Sequence, residues 1–320
     1  MLISQDTARP RTLEELIDAK LAARLDGLDV LTRKMLAGKL PGERRSKRRG
    51  RSVEFDDFRD YVPGDDLRHL DWNVYARLDR FFIKLFRQEE DLSVTVAIDV
   101  SASMDSGAPS KVFFAARLAT ALAYVGLVNQ NRVSLASFGA GALRVMAPVR
   151  GRSGVKAAAA FVLESLAQNA THAKSADEFG AAMTRLASSR SSRGVLIVIS
   201  DWLMEEGFER GLNALGGATG SGLLDTYAVL VASKEERDPA AAQRAGLSGD
   251  LQLTDIETGR TAEVTVSDAA LARYKELRAR FIANWRASCV ARGIAPFELG
   301  AETPVEDVIL GSLRRGGLLW

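Results

Sequence analysis

The sequence contains very little cysteine or histidine. Cys289 is the single cysteine among 320 residues, which excludes an internal disulfide framework. It lies in a helical pattern among apolar neighbours, and this predicts a buried, unreactive thiol rather than a nucleophile. The two histidines, His69 and His172, are too few and too scattered for a histidine-rich metal site.

Strong net charge and long apolar runs are also missing. The net charge of +2 argues against a chain that binds polyanions as a whole, so any basic behaviour must be local. We find no apolar stretch near 18 residues and therefore expect no membrane span. The first 20 residues lack the apolar core of a signal peptide, so the cytoplasm is the expected location.

Residues 92–105 carry the first pattern that indicates a site. Val94 to Ile98 is a β-branched, apolar run, typical of a strand that is buried on both faces of a parallel sheet. Asp99, Ser101 and Ser103 follow at alternate positions, at the carboxyl end of this strand, where open α/β sheets bind ligands. Carboxylate and hydroxyl oxygens suit Mg²⁺, Mn²⁺ or Ca²⁺. The alternative is a turn in which these side chains satisfy backbone N–H groups.

A second apolar run, residues 194–200, also ends in an acid, Asp201. Because the carboxyl ends of parallel strands meet at one edge of a sheet, Asp99 and Asp201 are expected to lie at the same edge.

The sequence from Asp99 to Ser103 resembles the metal-ion-dependent adhesion site of the von Willebrand factor type A (vWA) fold. The resemblance implies that Ser101, Ser103 and Asp99 hold a divalent cation, that Asp201 reaches it through water, and that a partner's carboxylate completes the coordination. The family's threonine ligand has no clear counterpart here. Thr171, Ser175 and Asp177 are the candidates, and Asp177 is alternatively a helix N-cap.

A further signature precedes this strand. Tyr61-x-Pro-Gly-Asp-Asp-x-Arg-x-x-Asp-Trp72, followed by Ala76-Arg77, resembles the bacterial and archaeal family catalogued as domain of unknown function 58. Relatives are commonly encoded beside MoxR-type AAA ATPases, which implies a chaperone-like system with such a partner. Arg68, Asp71 and Arg77 are candidate partner-binding residues. Alternatively they belong to an ion-pair network that fixes the local structure.

Residues 43–51 are strongly basic. They could bind phosphate, nucleic acid or an acidic partner, or form a solvated loop. No aromatic residue interrupts the run, so binding of single-stranded nucleic acid is disfavoured.

The predicted fold is α/β, a doubly wound and mostly parallel sheet of vWA type after an irregular N-terminal α+β region. We predict three regions: residues 1–91, the vWA-like domain at 92–300, and a C-terminal helix and tail at 301–320. A helix capped by Thr12 and Glu15 is expected to continue to Leu36 with a break near Gly27. Residues 216–222 are expected to form a glycine-rich loop.

The expected function is that of a non-enzymatic, metal-dependent protein-binding adaptor. The rival is a Mg²⁺-dependent phosphohydrolase or nuclease in the same crevice. Ser101 stands where an aspartyl phosphatase would have its second aspartate, which disfavours this rival.

Overall fold

The computed structural model describes residues 9–30, 55–63, 67, 70–86, 92–167, 176–188, 194–204, 207–221, 224–239, 249–255 and 259–319. It divides the chain into two compact units. The larger unit combines residues 1–38 with 92–320, and the smaller consists of residues 39–91.

The described helices are, in chain order, α1 (Leu13–Leu16), α2 (Ala19–Leu25), α3 (Trp72–Leu78), α4 (Lys111–Val128), α5 (Gly154–Ala167), α6 (Ala176–Ser188), α7 (Glu209–Gly220), α8 (Lys234–Arg237), α9 (Asp268–Ala291) and α10 (Val305–Asp307). A 3₁₀ turn covers Ala102–Asp105, and a π-helical turn covers Val308–Leu313. The strands are β1 (Phe55–Asp60), β2 (Phe82–Phe86), β3 (Ser93–Asp99), β4 (Arg132–Phe138), β5 (Arg144–Val145), β6 (Gly194–Ser200), β7 (Leu224–Ala232), β8 (Gly249–Thr254), β9 (Thr261–Val266) and β10 (Ala295–Gly300).

A six-stranded sheet forms the centre of the larger unit, in the order β10-β7-β6-β3-β4-β5. Every neighbouring pair is parallel except β4 and β5. Ile98 of β3 lies opposite Ile199 of β6 and Ser137 of β4, so these strands end at one edge. The predicted α/β class with a mostly parallel central sheet is confirmed.

Helices cover both faces of this sheet because successive strand side chains point to opposite sides. On one face, Val96 and Ile98 of β3 join a core that includes residues of α4 and α5. On the other face, Ala97 joins a core built with α6, α7 and α9. Cys289 of α9 is fully buried in this second core, as predicted.

Helix α4 is largely buried and corrects one expectation. By length and composition alone it could span a membrane, although the sequence was expected to hold no such segment. In the fold, 83% of this window is buried inside the protein. Core helices pass the same test, so the finding says little about a membrane.

Residues near both ends of the chain complete the first core. Leu16, Leu21 and Leu25 pack there together with Leu313 and Leu318. Val30 also pairs with Leu319 in an antiparallel bridge. This arrangement differs from the predicted regions 1–91, 92–300 and 301–320, because the N-terminal helices share a core with the sheet.

The smaller unit contains an antiparallel pair, β1 and β2, with Asp60 opposite Phe82. Helix α3 lies between these strands in the sequence. Asp71 caps it, because the Asp71 Oδ1 atom accepts hydrogen bonds from the backbone N–H groups of Asn73 (2.9 Å) and Val74 (3.1 Å). The basic run at 43–51 lies outside the described residues.

Three local predictions need correction. The N-terminal helix is broken at Ile17, because Asp18 begins a second helix by capping it. The side chain of Glu15 accepts a hydrogen bond from Arg11 and not from Thr12, so only half of the capping box forms. Helix α7 continues through the glycines to Gly220, where a loop was predicted, since packing of Leu212 and Leu215 holds it.

Candidate functional site

Asp99, the last residue of the central strand β3, is fully buried at the carboxyl edge of the sheet. Its Oδ1 atom accepts a hydrogen bond from the backbone N–H of Ser101 at 2.9 Å. Its Oδ2 atom accepts one from the Ser200 hydroxyl at 2.5 Å. Ser200 in turn accepts a hydrogen bond from the backbone N–H of Trp202. The carboxylate therefore ties the loops after β3 and β6 together.

The hydroxyl groups of Ser101 and Ser103 converge directly after this strand. Their oxygen atoms lie 3.2 Å apart and share a hydrogen bond. Ser101 is buried and Ser103 is half-buried, so the pair opens toward the surface through Ser103. The 3₁₀ turn Ala102–Asp105 creates this convergence by bending the chain back after Ser101.

Gly139, which follows β4, closes the cluster from the side. Its φ of +92° lies in the left-handed region, and a Cβ atom there would stand 2.5 Å from Asp99 Oδ1. The same atom would lie 3.0 Å from the backbone nitrogen of Ser101. Only glycine leaves room for the Asp99 carboxylate in this position.

Asp201, at the end of β6, is paired with a buried lysine. Lys111 Nζ lies 3.0 Å from Asp201 Oδ2 and 2.7 Å from Glu236 Oε1. Burial alone would lower the pKa of Lys111, but the charges of Asp201 and Glu236 and their hydrogen bonds outweigh it, so the pKa is raised. The ammonium group therefore stays charged inside the protein.

The loop after β7 holds the second acid of this triad in place. Glu236 and Ser233 form a capping box at the start of α8, in which Glu236 Oε2 accepts the backbone N–H of Ser233 at 2.8 Å. The Tyr274 hydroxyl donates to the backbone oxygen of Glu236 at 2.9 Å. Three neighbouring strands of the sheet, β3, β6 and β7, are thus each followed by side chains of one continuous polar region.

These side chains fit a hard divalent cation by their chemistry. Within the described ranges, no three Asp, Glu, His or Cys side chains gather as a metal cluster. A cation at this edge would therefore depend on the hydroxyl oxygens of Ser101 and Ser103, backed by Asp99. Asp201 is committed to Lys111, and its Oδ1 atom accepts the backbone N–H of Leu203 at 3.1 Å.

A family model described as "Protein of unknown function DUF58" matches residues 57–284. This match covers more than two-thirds of the chain. The chain belongs to the DUF58 family. The family model spans both the smaller unit from β1 onward and most of the central sheet.

Curated relatives of this DUF58 chain occur in mycobacteria. "Uncharacterized protein Rv1480" of Mycobacterium tuberculosis is 28% identical over 255 residues, which cover 79% of this chain and 76% of the relative. "Uncharacterized protein Mb1516" of Mycobacterium bovis matches with the same identity and coverage.

Two solved structures resemble the chain distantly. "Conserved hypothetical protein BatB from Bacteroides thetaiotaomicron" is 16% identical with a TM-score of 0.41, covering 70% of this chain and 98% of that one. A mutant form of the "PilB minor pilin from Streptococcus sanguinis" is 9% identical with a TM-score of 0.39, covering 74% and 64%. Likenesses at this level carry no inference about the site.

The other predicted site residues of the DUF58 chain have local partners or fall outside the described ranges. Asp177 lies in the first turn of α6, where its side chain is 73% exposed and pairs with Arg210. Asp71 caps α3, and Arg77 is an exposed residue in the last turn of that helix. Thr171, Ser175 and Arg68 lie outside the described residues.

Sequence reasoning overlooked Lys111, Ser200 and Glu236. Two signals were present: a lysine at the very start of a mostly apolar helix, and a Ser-x-x-Glu pattern directly after a buried strand. Each resembles an ordinary local feature, and only the packing of α4 beside β6 and α8 brings the charges together.

Proposed function

We propose that this DUF58 chain is a protein-binding module of vWA type that uses a divalent cation, Mg²⁺, Mn²⁺ or Ca²⁺, to receive an acidic residue of a partner. The observation that carries the proposal is the pair of hydroxyl oxygens of Ser101 and Ser103, 3.2 Å apart beside the buried Asp99. The cation supplies the positive charge that attracts the partner's carboxylate. Ser101 and Ser103 would hold it, and Asp99 fixes the loop that presents them.

The proposed partner class follows from the resemblance to the domain of unknown function 58 family. A MoxR-type AAA ATPase would work with this chain in the assembly or activation of other proteins. The sequence contains no P-loop motif, so ATP hydrolysis belongs to the partner in this proposal. Arg68, Asp71 and Arg77 of the family signature stay candidates for contact with that ATPase.

Isothermal titration of the chelator-treated protein with Mg²⁺, Mn²⁺ and Ca²⁺ tests the cation site. We expect saturable binding that is lost in the Ser101→Ala/Ser103→Ala variant. Ser165→Ala is the matched control, because it removes a buried hydroxyl that donates to the Phe161 carbonyl one turn earlier within α5. Binding that survives the double substitution, or is lost equally in the control, contradicts the proposal.

The rival enzymatic function has its own test. A phosphate ester assay with Mg²⁺ or Mn²⁺ should show no turnover above background. Turnover that disappears in Asp99→Ala would favour a phosphohydrolase, because Asp99 is the buried strand-end carboxylate that could serve as its nucleophile.

A further inference from the structure

Lys111 carries a buried positive charge at the same edge of the sheet as the candidate cation site, because its partner Asp201 directly follows β6, the parallel neighbour of β3. Its side chain is 0% exposed, and the side chains of its two acidic partners are 1% exposed for Asp201 and 23% for Glu236. It is the first residue of α4, and Ser110 caps that helix by accepting the backbone N–H of Phe113. Most of α4 is apolar and packed, so the lysine head is held in one place.

A buried ammonium group is costly unless acids pair with it. Here the Lys111 Nζ atom lies within 3.0 Å of two carboxylate oxygens. One belongs to Asp201, directly after β6, and the other to Glu236 in α8, which follows the neighbouring strand β7. Lys111 thus already places a positive charge at the carboxyl edge of the sheet. Both oxygen atoms of Asp201 are engaged, one by Lys111 and the other by the backbone of Leu203.

We propose that Lys111 is a built-in counter-ion that limits the affinity of the neighbouring divalent cation site. Its ammonium group pairs with the carboxylates of Asp201 and Glu236, and the same positive charge repels a cation bound at Ser101 and Ser103. The inference rests on the function proposed above and adds its regulation: the cation is held weakly by this chain alone and is retained when a partner's carboxylate supplies the missing negative charge.

The location of the charges supports this role. Asp105, beside Ser103, is paired with Arg9, and Asp201 is paired with Lys111. These two acids therefore contribute little net negative charge to a cation at the serine pair. A divalent ion held by neutral hydroxyl groups, with the single negative charge of Asp99 behind them, keeps an excess of positive charge, which an acidic side chain from outside can neutralise.

The test measures Mn²⁺ affinity alone, by electron paramagnetic resonance of the free ion, in the full chain. Lys111→Gln and Lys111→Met are made in parallel, because glutamine keeps hydrogen-bond donors and methionine keeps the volume. Both are expected to bind Mn²⁺ about tenfold more tightly or better, since removing the nearby charge releases Asp201. Adding Asp201→Asn to Lys111→Gln should return the affinity to that of the unmodified chain.

Lys156→Met is the matched control, because Lys156 is exposed on α5 and its removal changes the net charge equally. It should leave Mn²⁺ affinity within about twofold of the unmodified chain, since exposed charges are screened. If the Lys111 variants are only partly folded, their melting temperatures give a second measurement. Mn²⁺ should raise these temperatures more than that of the unmodified chain.

Unchanged or weaker Mn²⁺ affinity in both Lys111 variants overturns the counter-ion role. That failure is separate from failure of the proposed function, which depends on the loss of binding in Ser101→Ala/Ser103→Ala. If the unmodified chain binds no Mn²⁺ but the Lys111 variants do, the counter-ion role stands and the resident cation of the proposed function does not.

Discussion

Replacing Gly139 with alanine should damage the site through one close contact. The added Cβ atom would lie 2.5 Å from Asp99 Oδ1, and the residue has a φ of +92°. A left-handed conformation costs an alanine about 1–2 kcal/mol, and overpacking at a site that cannot relax adds about 1–3 kcal/mol. Because Ser200 and the Ser101 backbone already hold Asp99, the carboxylate has little room to move. We expect a total loss of about 2–5 kcal/mol in the free energy of unfolding.

Gly141 offers a matched control two residues further along the chain. Its φ is +100°, close to that of Gly139, but a Cβ atom there meets nothing within 4 Å. Gly141→Ala should therefore show only the backbone cost of about 1–2 kcal/mol. Urea unfolding followed by tryptophan fluorescence gives both values. Equal losses in the two variants would refute the reasoning, because they would mean that Asp99 moves away from the new methyl group without cost.

Three other predictions follow from buried or hydrogen-bonded titratable groups. Lys111→Met should lower the free energy of unfolding by about 3–5 kcal/mol near pH 7. This difference should shrink above pH 10.5, because a lysine whose pKa is raised in the folded state stabilises the protein only while it stays charged. Urea unfolding of both proteins across pH 7–12 measures the difference. Tyr124→Phe removes a 2.6 Å hydrogen bond that lowers the pKa of Asp26. The substitution should lower the free energy of unfolding by about 1 kcal/mol near pH 7. Thermal melts should show this difference decreasing as the pH falls below 3.8, where Asp26 becomes protonated. Burial raises the pKa of the Cys289 thiol to about 12, so a thiol reagent at pH 8 should react only as fast as the chain unfolds; rapid labelling of folded protein would contradict this burial.

The sequence predicted the parts of the site that depend on local pattern. Residues 94–98 and 194–200 are apolar and β-branched because they are buried on both faces, and an acidic residue at each strand end is visible in the sequence. Parallel pairing of β3 with β6 then places Asp99 and Asp201 at one edge, as expected. This much follows from periodicity and from the topology of α/β sheets.

The partners of these acids could not be predicted in the same way. Lys111 reaches Asp201 across 90 positions of sequence and Glu236 across 125, and no local pattern connects them. The surroundings of Asp177 were also beyond local pattern. Its position at the start of a helix matched the family's threonine, yet it is exposed and pairs with Arg210, a contact set by how α6 packs against α7.

The antiparallel bridge between Val30 and Leu319 bears on how this protein can be divided for experiments. In topological terms, residues 39–91 are an insertion between two sequence segments of a single folding unit. A fragment that starts at residue 92 would lose the fully buried Leu16 and Leu21 and would expose the core face against which they pack. Excising the insertion and joining residue 38 to residue 92 through a flexible linker would keep these side chains. The larger unit, residues 1–38 joined to residues 92–320, is therefore the smallest piece expected to fold independently.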